Sequence, residues 1–572
     1  MIKLVAALFA GVFTTFIVCG CKAGRSNADA ISPQDPAFPA APTNLSTQLV
    51  SPFQIHLSWS ASRPGNAPAY RVFRNGTAIA TTNSTSYIDS GLTASTDYSY
   101  AVSAVDDKGI SSLQSAALNT RTLAVSNPTA YPLKLSTDRR FLVDQNNVPF
   151  FVNGEDGFLA SIELSDSEVD AYLADRASRG INSVWIGLAD QVDQSNPPQD
   201  AFGNAPFSGP WFSSTEVSAY WQHQDSVIQR AAAKGIVVFA QPSFVGNADS
   251  QTAYDTKAML AASEDMMKAY GSFIGNRYKT FPNIVWVLGG DYDPSQAAIK
   301  RKLTDFAAGL VAADADHLIT IEACRFCTPT NQSSLDSYDG SPPQFLDLNW
   351  LYSQQPNIVP VAQSNFSRSP FLPPFLGEDF YELEHSMTEF QVRQEGYWAV
   401  LGGAYVGRLF GNGAIWSFNS TKGGRAVPSW ESQLGSLGSV AQENLGHLMA
   451  SREHWLMVPD IRHEILTAGF GSGPNLSVAA RSSDGQTIIA YFSDGNATTK
   501  TIDMSKIVSS HSSVKAWWFD PRTGTDTLIG TFANHGSRSF AAPDGNDWVL
   551  VLDDASANLP PPGTVSSESR HP

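Results

Sequence analysis

Charge is scarce in this 572-residue chain and positive charge scarcer still: Asp, Glu, Lys and Arg make up 16% of residues, with 37 Lys+Arg against 54 Asp+Glu for a net −17. No segment carries a basic stripe able to neutralise phosphates, so nucleic acid is not an expected partner. No G-x-G-x-x-G opens a helix after the first barrel strand, and H-E-x-x-H and G-x-S-x-G contexts are missing. These absences remove the sequence grounds for a dinucleotide cofactor, a zinc protease or a serine hydrolase, and no cofactor or metal is expected. Cysteine is down to four residues, Cys19, Cys21, Cys324 and Cys327. No second Cys/His pair completes a tetrahedral metal set around Cys324-x-x-Cys327, so in an oxidising compartment the pair reads as a local disulfide. Aromatics, in contrast, reach 11%; they suit stacking surfaces and equally a large core.

The opening MIKLVAALFAGVFTTFIVCGC places Lys3 ahead of an apolar run that ends in small residues before Cys21. That is the layout of a secretory signal, too short to read first as a membrane span. Val18-Cys19-Gly20-Cys21 resembles a bacterial lipobox, with Cys19 an unusual second residue. The resemblance implies a signal peptide over 1–20, lipidation of Cys21 and a membrane anchor; a plain signal cut is the alternative. Residues 21–40, rich in Ser, Ala, Asp and Pro, read as a flexible tether. The expected location is the cell envelope, lipid-anchored at the outer membrane or cell surface, or secreted.

Residues 41–123 show short alternating strands and turns: FQIHLSW, AYRVFRNGTAIATT with Asn75-Gly76 as a hairpin turn, and TDYSYAVSAVD. With Trp59, Leu92 and Tyr98, this segment resembles a fibronectin type III module, a fold used chiefly as a spacer. From 133 to 456, apolar strand candidates alternate with helical patterns: FFVNGED (150–156), NSVWIGL (182–188), VVFAQPS (237–243), IVWVLGGD (284–291), LITIEAC (318–324), FLDLNWL (345–351), PFLGEDF (374–380) and GAIWSFN (413–419). Capping boxes at Ser165-x-x-Glu168 and Ser213-x-x-Glu216, and stops at Gly180 and Gly235, bound two of the helices. Eight such units within about 310 residues predict a (β/α)8 TIM barrel, with an open doubly wound sheet as runner-up. Residues 457–554 return to short alternating strands and predict a C-terminal β-sandwich; 555–572 read as a disordered tail.

Barrel active sites form at the C-terminal ends of the strands. Asp291 ends the fourth candidate strand and Glu378 the seventh, on facing parts of the barrel, so their carboxyls can converge across its mouth. Two carboxyls are what glycoside hydrolysis needs, about 5 to 5.5 Å apart for a retaining enzyme and about 6.5 to 9.5 Å for an inverting one. The bland alternative has Asp291 capping a turn, and Glu378 as one member of an acidic cluster with Asp379, Glu382 and Glu384.

The segments RRFLVDQNNVPFFVNGEDGF (139–158), NIVWVLGGDYDP, PFLGEDFYE, GYWAVLGGAYVGRLFGNGAIWSF (396–418), WWFDPRTG and DWVLVLDD resemble the apiosidase-like glycoside hydrolases. In these a (β/α)8 catalytic domain precedes a collagen-binding-type β-sandwich. The resemblance implies retaining hydrolysis, with Asp291 as acid/base and Glu378 as nucleophile. Two motifs depart from the family pattern. Gly154-Glu155-Asp156 replaces the usual Gly-Asp-Thr, and Glu322-Ala323-Cys324-Arg325 stands where a His is usual, so the substrate can differ from apiose-containing pectin. Asp291 should have a raised pKa from Trp286, Tyr292 and the Glu378 charge. Trp185 and Trp416 are candidate stacking platforms, Gly290 a point of close approach, and Glu155, Glu322, Asn349 and Tyr381 candidate hydroxyl binders. The expected activity is exo-hydrolysis of side chains on plant or other complex polysaccharide by a monomer; a non-catalytic carbohydrate-binding or adhesin lipoprotein is the alternative.

Overall fold

The computed structural model describes residues 39–564, apart from 51–54, 62–68, 90–91, 93–95, 123–128, 192–193, 215, 247–253, 325–331, 339–340, 420–426 and 509–511. The expected signal, Cys21, the tether to residue 38, Cys327 and residues 565–572 lie outside the described residues.

Eight parallel strands form the centre: β1 (Val152–Asp156), β2 (Ser183–Gly187), β3 (Val237–Gln241), β4 (Ile284–Tyr292), β5 (Ile319–Ala323), β6 (Asn349–Tyr352), β7 (Pro374–Glu378) and β8 (Gly407–Phe410). They pair in the order β5-β4-β3-β2-β1-β8-β7-β6. At the seam between β5 and β6, the Asp347 N–H donates to the Ile319 carbonyl at 2.9 Å and the Ile319 N–H to Asp347 Oδ2 at 3.1 Å. The sheet is therefore a nearly closed TIM-like barrel.

Side chains alternate between two environments, as the two-residue strand period requires. Trp185, Phe239, Trp350 and Phe375 point inward and touch edge-on or tilted, with ring centroids 4.8–5.5 Å apart. Val184, Ile186, Val238, Trp286 and Ile321 point outward into the helical layer. Two devices end the first long helix, α1 (Asp166–Ser178): the Ser165/Glu168 capping box and Gly180 at φ +71°. The second helix, α2 (Ser218–Ala233), begins later than the Ser213/Glu216 pattern predicts. Glu216 there makes a β-bridge with Phe207, and the residue at the cap position is Val217.

The eighth strand also differs from expectation. It is Gly407–Phe410, and 413–419 is a run of turns after it. Arg408 disguised the strand in the sequence. Its guanidinium is buried on the outer face, where Nε donates to Asp379 Oδ2 at 2.7 Å and Nη1 to the Val392 carbonyl at 3.1 Å, so a fully buried strand does not read as apolar.

The N-terminal unit is a sandwich of a three-stranded and a four-stranded antiparallel sheet. Asn75 and Gly76, both at positive φ, turn its central hairpin. The C-terminal unit pairs a six-stranded with a three-stranded sheet. It is fused to the barrel through helix α3 (Glu389–Gly402): Arg393 grips Asp547 through two bonds of 2.7 and 2.6 Å, and the Tyr397 and Tyr491 rings stack at 4.8 Å with an interplanar angle of 2°. Arg452 makes a second two-bond pair with Asp553. The start of the stretch expected to be a disordered tail is placed against this joint. The Pro560 carbonyl accepts from Arg452 Nη2 at 3.1 Å and the Gly563 N–H donates to Ser451 Oγ at 2.9 Å. Polar backbone contacts hold it, which apolar periodicity does not reveal.

Candidate active site

The Asp291 and Glu378 carboxyls reach the barrel mouth through irregularities in their strands. In β4, Gly289 pairs with Glu322 and Tyr292 with Ala323, so Gly290 and Asp291 bulge out of register. Gly289, Gly290 and Asp291 have φ of +94°, +98° and +47° in succession. The glycines adopt this region without steric cost, whereas Asp291 is a strained residue held there by its surroundings. A Cβ on Gly289 would come within 2.1 Å of the Glu322 carbonyl, and one on Gly290 within 2.4 Å of Phe244. The Asp291 N–H, freed from the ladder, donates to Glu322 Oε2 at 2.5 Å.

In β7 the register slips by one residue between the pairs Leu351–Leu376 and Tyr352–Glu378. Gly377 absorbs the slip with its Cα against Trp350, where a Cβ would lie 2.2 Å from the indole. Strict alternation would turn Asp379 inward. The bulge instead turns Glu378 into the mouth and sends Asp379 outward to Arg408.

Two tyrosines meet Glu378. Tyr381 Oη lies 3.1 Å from Glu378 Oε1 and 2.5 Å from Asp156 Oδ2, joining the tip of β7 to the tip of β1, and the Tyr352 hydroxyl bonds Glu378 from β6. Four carboxyls, Asp156, Asp291, Glu322 and Glu378, thus share one weakly hydrated rim. Burial, then the charges of Glu322, Asp291 and Asp156, push the Glu378 carboxyl well above its ordinary range. Burial and then Asp291 do the same to Glu322, and burial pushes Asp156 up to about 8. With its carboxyl at about 8, Asp156 is mostly neutral near pH 7, so the four groups carry fewer than four negative charges there.

Other residues singled out by the sequence divide between mouth and scaffold. Glu322, Tyr381 and Gly290 lie at the rim. Trp416, half-buried in the turns after β8, donates from Nε1 to Glu384 Oε1 at 3.0 Å and stands 6.5 Å from the Tyr381 ring. Glu155 does not reach the mouth: it points outward from β1 into α1, where Arg176 Nη1 donates to it at 2.6 Å and Tyr172 at 2.8 Å, with both ion-pair partners wholly buried. Asn349 also points outward, bonding Asn365 Oδ1 at 2.9 Å. Trp185 offers no open face, since it packs against Trp350 and Phe158 beneath the mouth and bonds Gln241 Oε1 at 3.0 Å. Trp286 and Tyr292, expected around Asp291, belong to the outer layer. Cys324 is disulfide-bonded.

The sequence reading missed Asp156, Gln241 and Tyr352. The two-residue alternation was the available signal for Gln241 and Tyr352, which lie two positions from the inward-facing Phe239 and Trp350 on their own strands. Among the described residues, Gln241 Nε2 and Glu322 Oε1 are buried polar atoms without a hydrogen-bond partner.

Comparison with known proteins adds a family context. The model for the Apiosidase-like catalytic domain matches residues 136–456, that for a collagen-binding domain of a collagenase matches 458–553, and that for the fibronectin type III domain matches 40–121. A solved glycoside hydrolase superposes with a TM-score of 0.64 at 24% identity, covering 75% of this chain and 97% of its own. A family 5 glycoside hydrolase from Bacteroides vulgatus ATCC 8482 gives 0.64 and 24%, covering 74% and 94%. These likenesses show the fold. Curated relatives match over short stretches. An α-amylase of Niallia circulans is 43% identical over 98 residues, 17% of this chain and 8% of the relative. A poly(3-hydroxybutyrate) depolymerase of Ralstonia pickettii is 41% identical over 91 residues, 16% and 18% respectively. The chain thus spans less than a fifth of the length of either relative.

Proposed function

The chain belongs to the apiosidase-like glycoside hydrolase family, and on that premise we propose that it is a retaining glycosidase in which Asp291 is the acid/base and Glu378 the nucleophile. The observation that carries this reading is the pair of bulges. Each departs from regular pairing at the tip of its strand, and together they direct two carboxyls into one mouth, near enough that the Asp291 charge raises the proton affinity of Glu378.

In the proposed reaction Glu378 attacks the anomeric carbon while Asp291 gives its proton to the departing glycosidic oxygen, leaving a glycosyl–enzyme ester. Asp291 then takes a proton from the incoming water, which attacks that ester and restores both groups. The hydroxyls of Tyr381 and Tyr352 favour the anionic form of Glu378. Trp416, half-buried beside Tyr381, offers an apolar edge to a sugar ring. The substrate class is the side chains of a plant or other complex polysaccharide, trimmed from their ends, by an enzyme lipid-anchored through Cys21.

Release of monosaccharide from a panel of pectic, arabinan and other branched polysaccharides tests the reading. E378A should abolish release while leaving the protein folded, with a cooperative thermal transition, and with the wild type, product of retained anomeric configuration should appear first. Unchanged turnover by E378A would remove the assignment. Glycan binding without any product would favour a carbohydrate-binding adhesin instead.

A further inference from the structure

We propose that Asp156 is a positioning residue that works as a neutral acid: its proton is donated to Tyr381 Oη, which turns the Tyr381 proton onto Glu378. This deepens the reading of the site given above and rests on it.

A hydrogen-bond count motivates the proposal. Tyr381 Oη lies within bonding distance of two carboxyls, 2.5 Å from Asp156 Oδ2 and 3.1 Å from Glu378 Oε1. A phenol has one proton, so it can donate to one of them only; the other contact needs a proton supplied by the carboxyl itself. Asp156 suits that part. It is only 3% exposed at the closed side of the rim, and its Oδ1 is already occupied by the Phe158 N–H at 2.9 Å, leaving Oδ2 to carry the proton. Glu378 is more exposed and has a second hydroxyl, that of Tyr352, directed at it. The Tyr352 hydroxyl favours the anion of Glu378, and an ionised Glu378 is what the proposed reaction requires.

The surroundings of Asp156 agree. Tyr381 and Glu384 from the loop after β7, Glu378 at the tip of β7 and Glu322 at the tip of β5 all face it, and Glu155 adjoins it on the opposite face of β1. Every one of these groups is negative or neutral, and Arg176, which reaches β1 from the helical side, is paired with Glu155. Burial first, and then this surrounding charge, raises the Asp156 carboxyl to about 8. Above that pH Asp156 ionises and draws the Tyr381 proton to itself. Glu378 then loses the hydrogen bond that positions it and faces a further negative charge that raises its own proton affinity, so less of it is ionised and aligned for attack, which places an alkaline limb on the rate.

Two variants and two readouts test this. In D156N the amide always donates to Tyr381 and never ionises; in D156A no donor remains. On the glycan that the wild-type protein hydrolyses, D156A should lower kcat about tenfold or more, D156N should restore most of that loss, and the alkaline limb should vanish in D156N. If D156N is as impaired as D156A, an ionised Asp156 is required and the proposal falls. The second readout needs no substrate. Because the folded-state pKa of Asp156 is raised from 3.8 to about 8, its stabilising contribution is full below the lower value and is lost as pH rises through the upper one. The Tm of the wild type minus that of D156N should therefore decline steadily between about pH 4 and about pH 8. A flat difference would overturn the proposal even if no glycan in the panel is cleaved, whereas a declining one with no cleavage would fault the assigned reaction alone.

Discussion

The side chain of Glu322 holds the main chain of Asp291: the Asp291 N–H donates to Glu322 Oε2 at 2.5 Å. One rim carboxylate thereby fixes the backbone that carries another. The bulge in β4 takes this N–H away from the strand ladder, and a buried donor left unmet costs about 1–3 kcal/mol. Glu322 meets it, from the end of β5, the stretch near which the family resemblance implies a histidine. The same contact explains how Asp291 is kept at φ +47°.

Substitutions at Glu322 should separate this holding role from charge. E322Q retains a carbonyl oxygen for the Asp291 N–H and keeps the group neutral, the state toward which burial and Asp291 already push it. E322A removes the acceptor. We expect kcat to fall at least about tenfold further in E322A than in E322Q, with thermal unfolding and kinetics measured on both; equal losses would show that the hydrogen bond does not position Asp291.

The glycines of the bulge should rank by what a methyl group would strike. At Gly289 the obstacle is the Glu322 carbonyl, at 2.1 Å, which is backbone and cannot turn aside. At Gly290 the obstacles are the side chains of Phe244 and Gln241, which can. Positive φ adds about 1–3 kcal/mol at either site. G289A should therefore be the more destabilised of the two in chemical denaturation, and both should lose activity through displacement of Asp291.

Much of this architecture is legible in the sequence, and the exceptions share a cause. Seven of the eight barrel strands announce themselves as apolar runs; β8 does not, because Arg408 is a buried charge whose partner, Asp379, lies 29 positions away. The two carboxylates proposed to react were chosen by strand position, yet strict alternation would have faced Asp379 inward in place of Glu378. Only the register slip at Gly377 reverses them, and a slip is a property of two strands, invisible in either alone. The error at Glu155 runs the other way: Glu155 and Asp156 are adjacent, so one must face the helices and the other the mouth, and the choice was decided by Arg176 and Tyr172 on α1.

That pairing yields a stability prediction. Arg176 and Glu155 are both wholly buried, so removing one partner strands the other charge. R176M should destabilise the barrel by about 3–5 kcal/mol, whereas E155Q with R176M should recover part of the loss. The KM of the isolated E155Q variant should stay near that of the wild type, because Glu155 points away from the mouth; a large rise in KM would return it to the substrate site.

The C-terminal sandwich should unfold together with the barrel. Arg393–Asp547 and Arg452–Asp553 are buried two-bond pairs across the joint, and the Tyr397/Tyr491 stack seals it. D547A leaves the Arg393 guanidinium buried without its partner, which should cost about 3–5 kcal/mol. Calorimetry should show the barrel and sandwich transitions moving down together; a shift confined to one transition would mean that the two units are stable independently.

The final prediction concerns what the carboxylate rim does to stability. Glu378 is raised well above its ordinary pKa by burial and then by Glu322, Asp291 and Asp156. Its contribution to folding is therefore present in acid, below the unfolded-state value of 4.5, and is lost as pH rises toward the raised folded-state value. Replacing it by an uncharged isostere removes that loss. E378Q should unfold at a Tm about 2 °C or more above wild type near neutral pH, and the gap should close as pH falls toward about 4, while activity is abolished throughout. A fixed Tm difference across this range would mean that Glu378 does not carry the strained charge on which the reaction draws. A gap that opens with pH would show the stability forgone to hold a nucleophile among three other carboxyls.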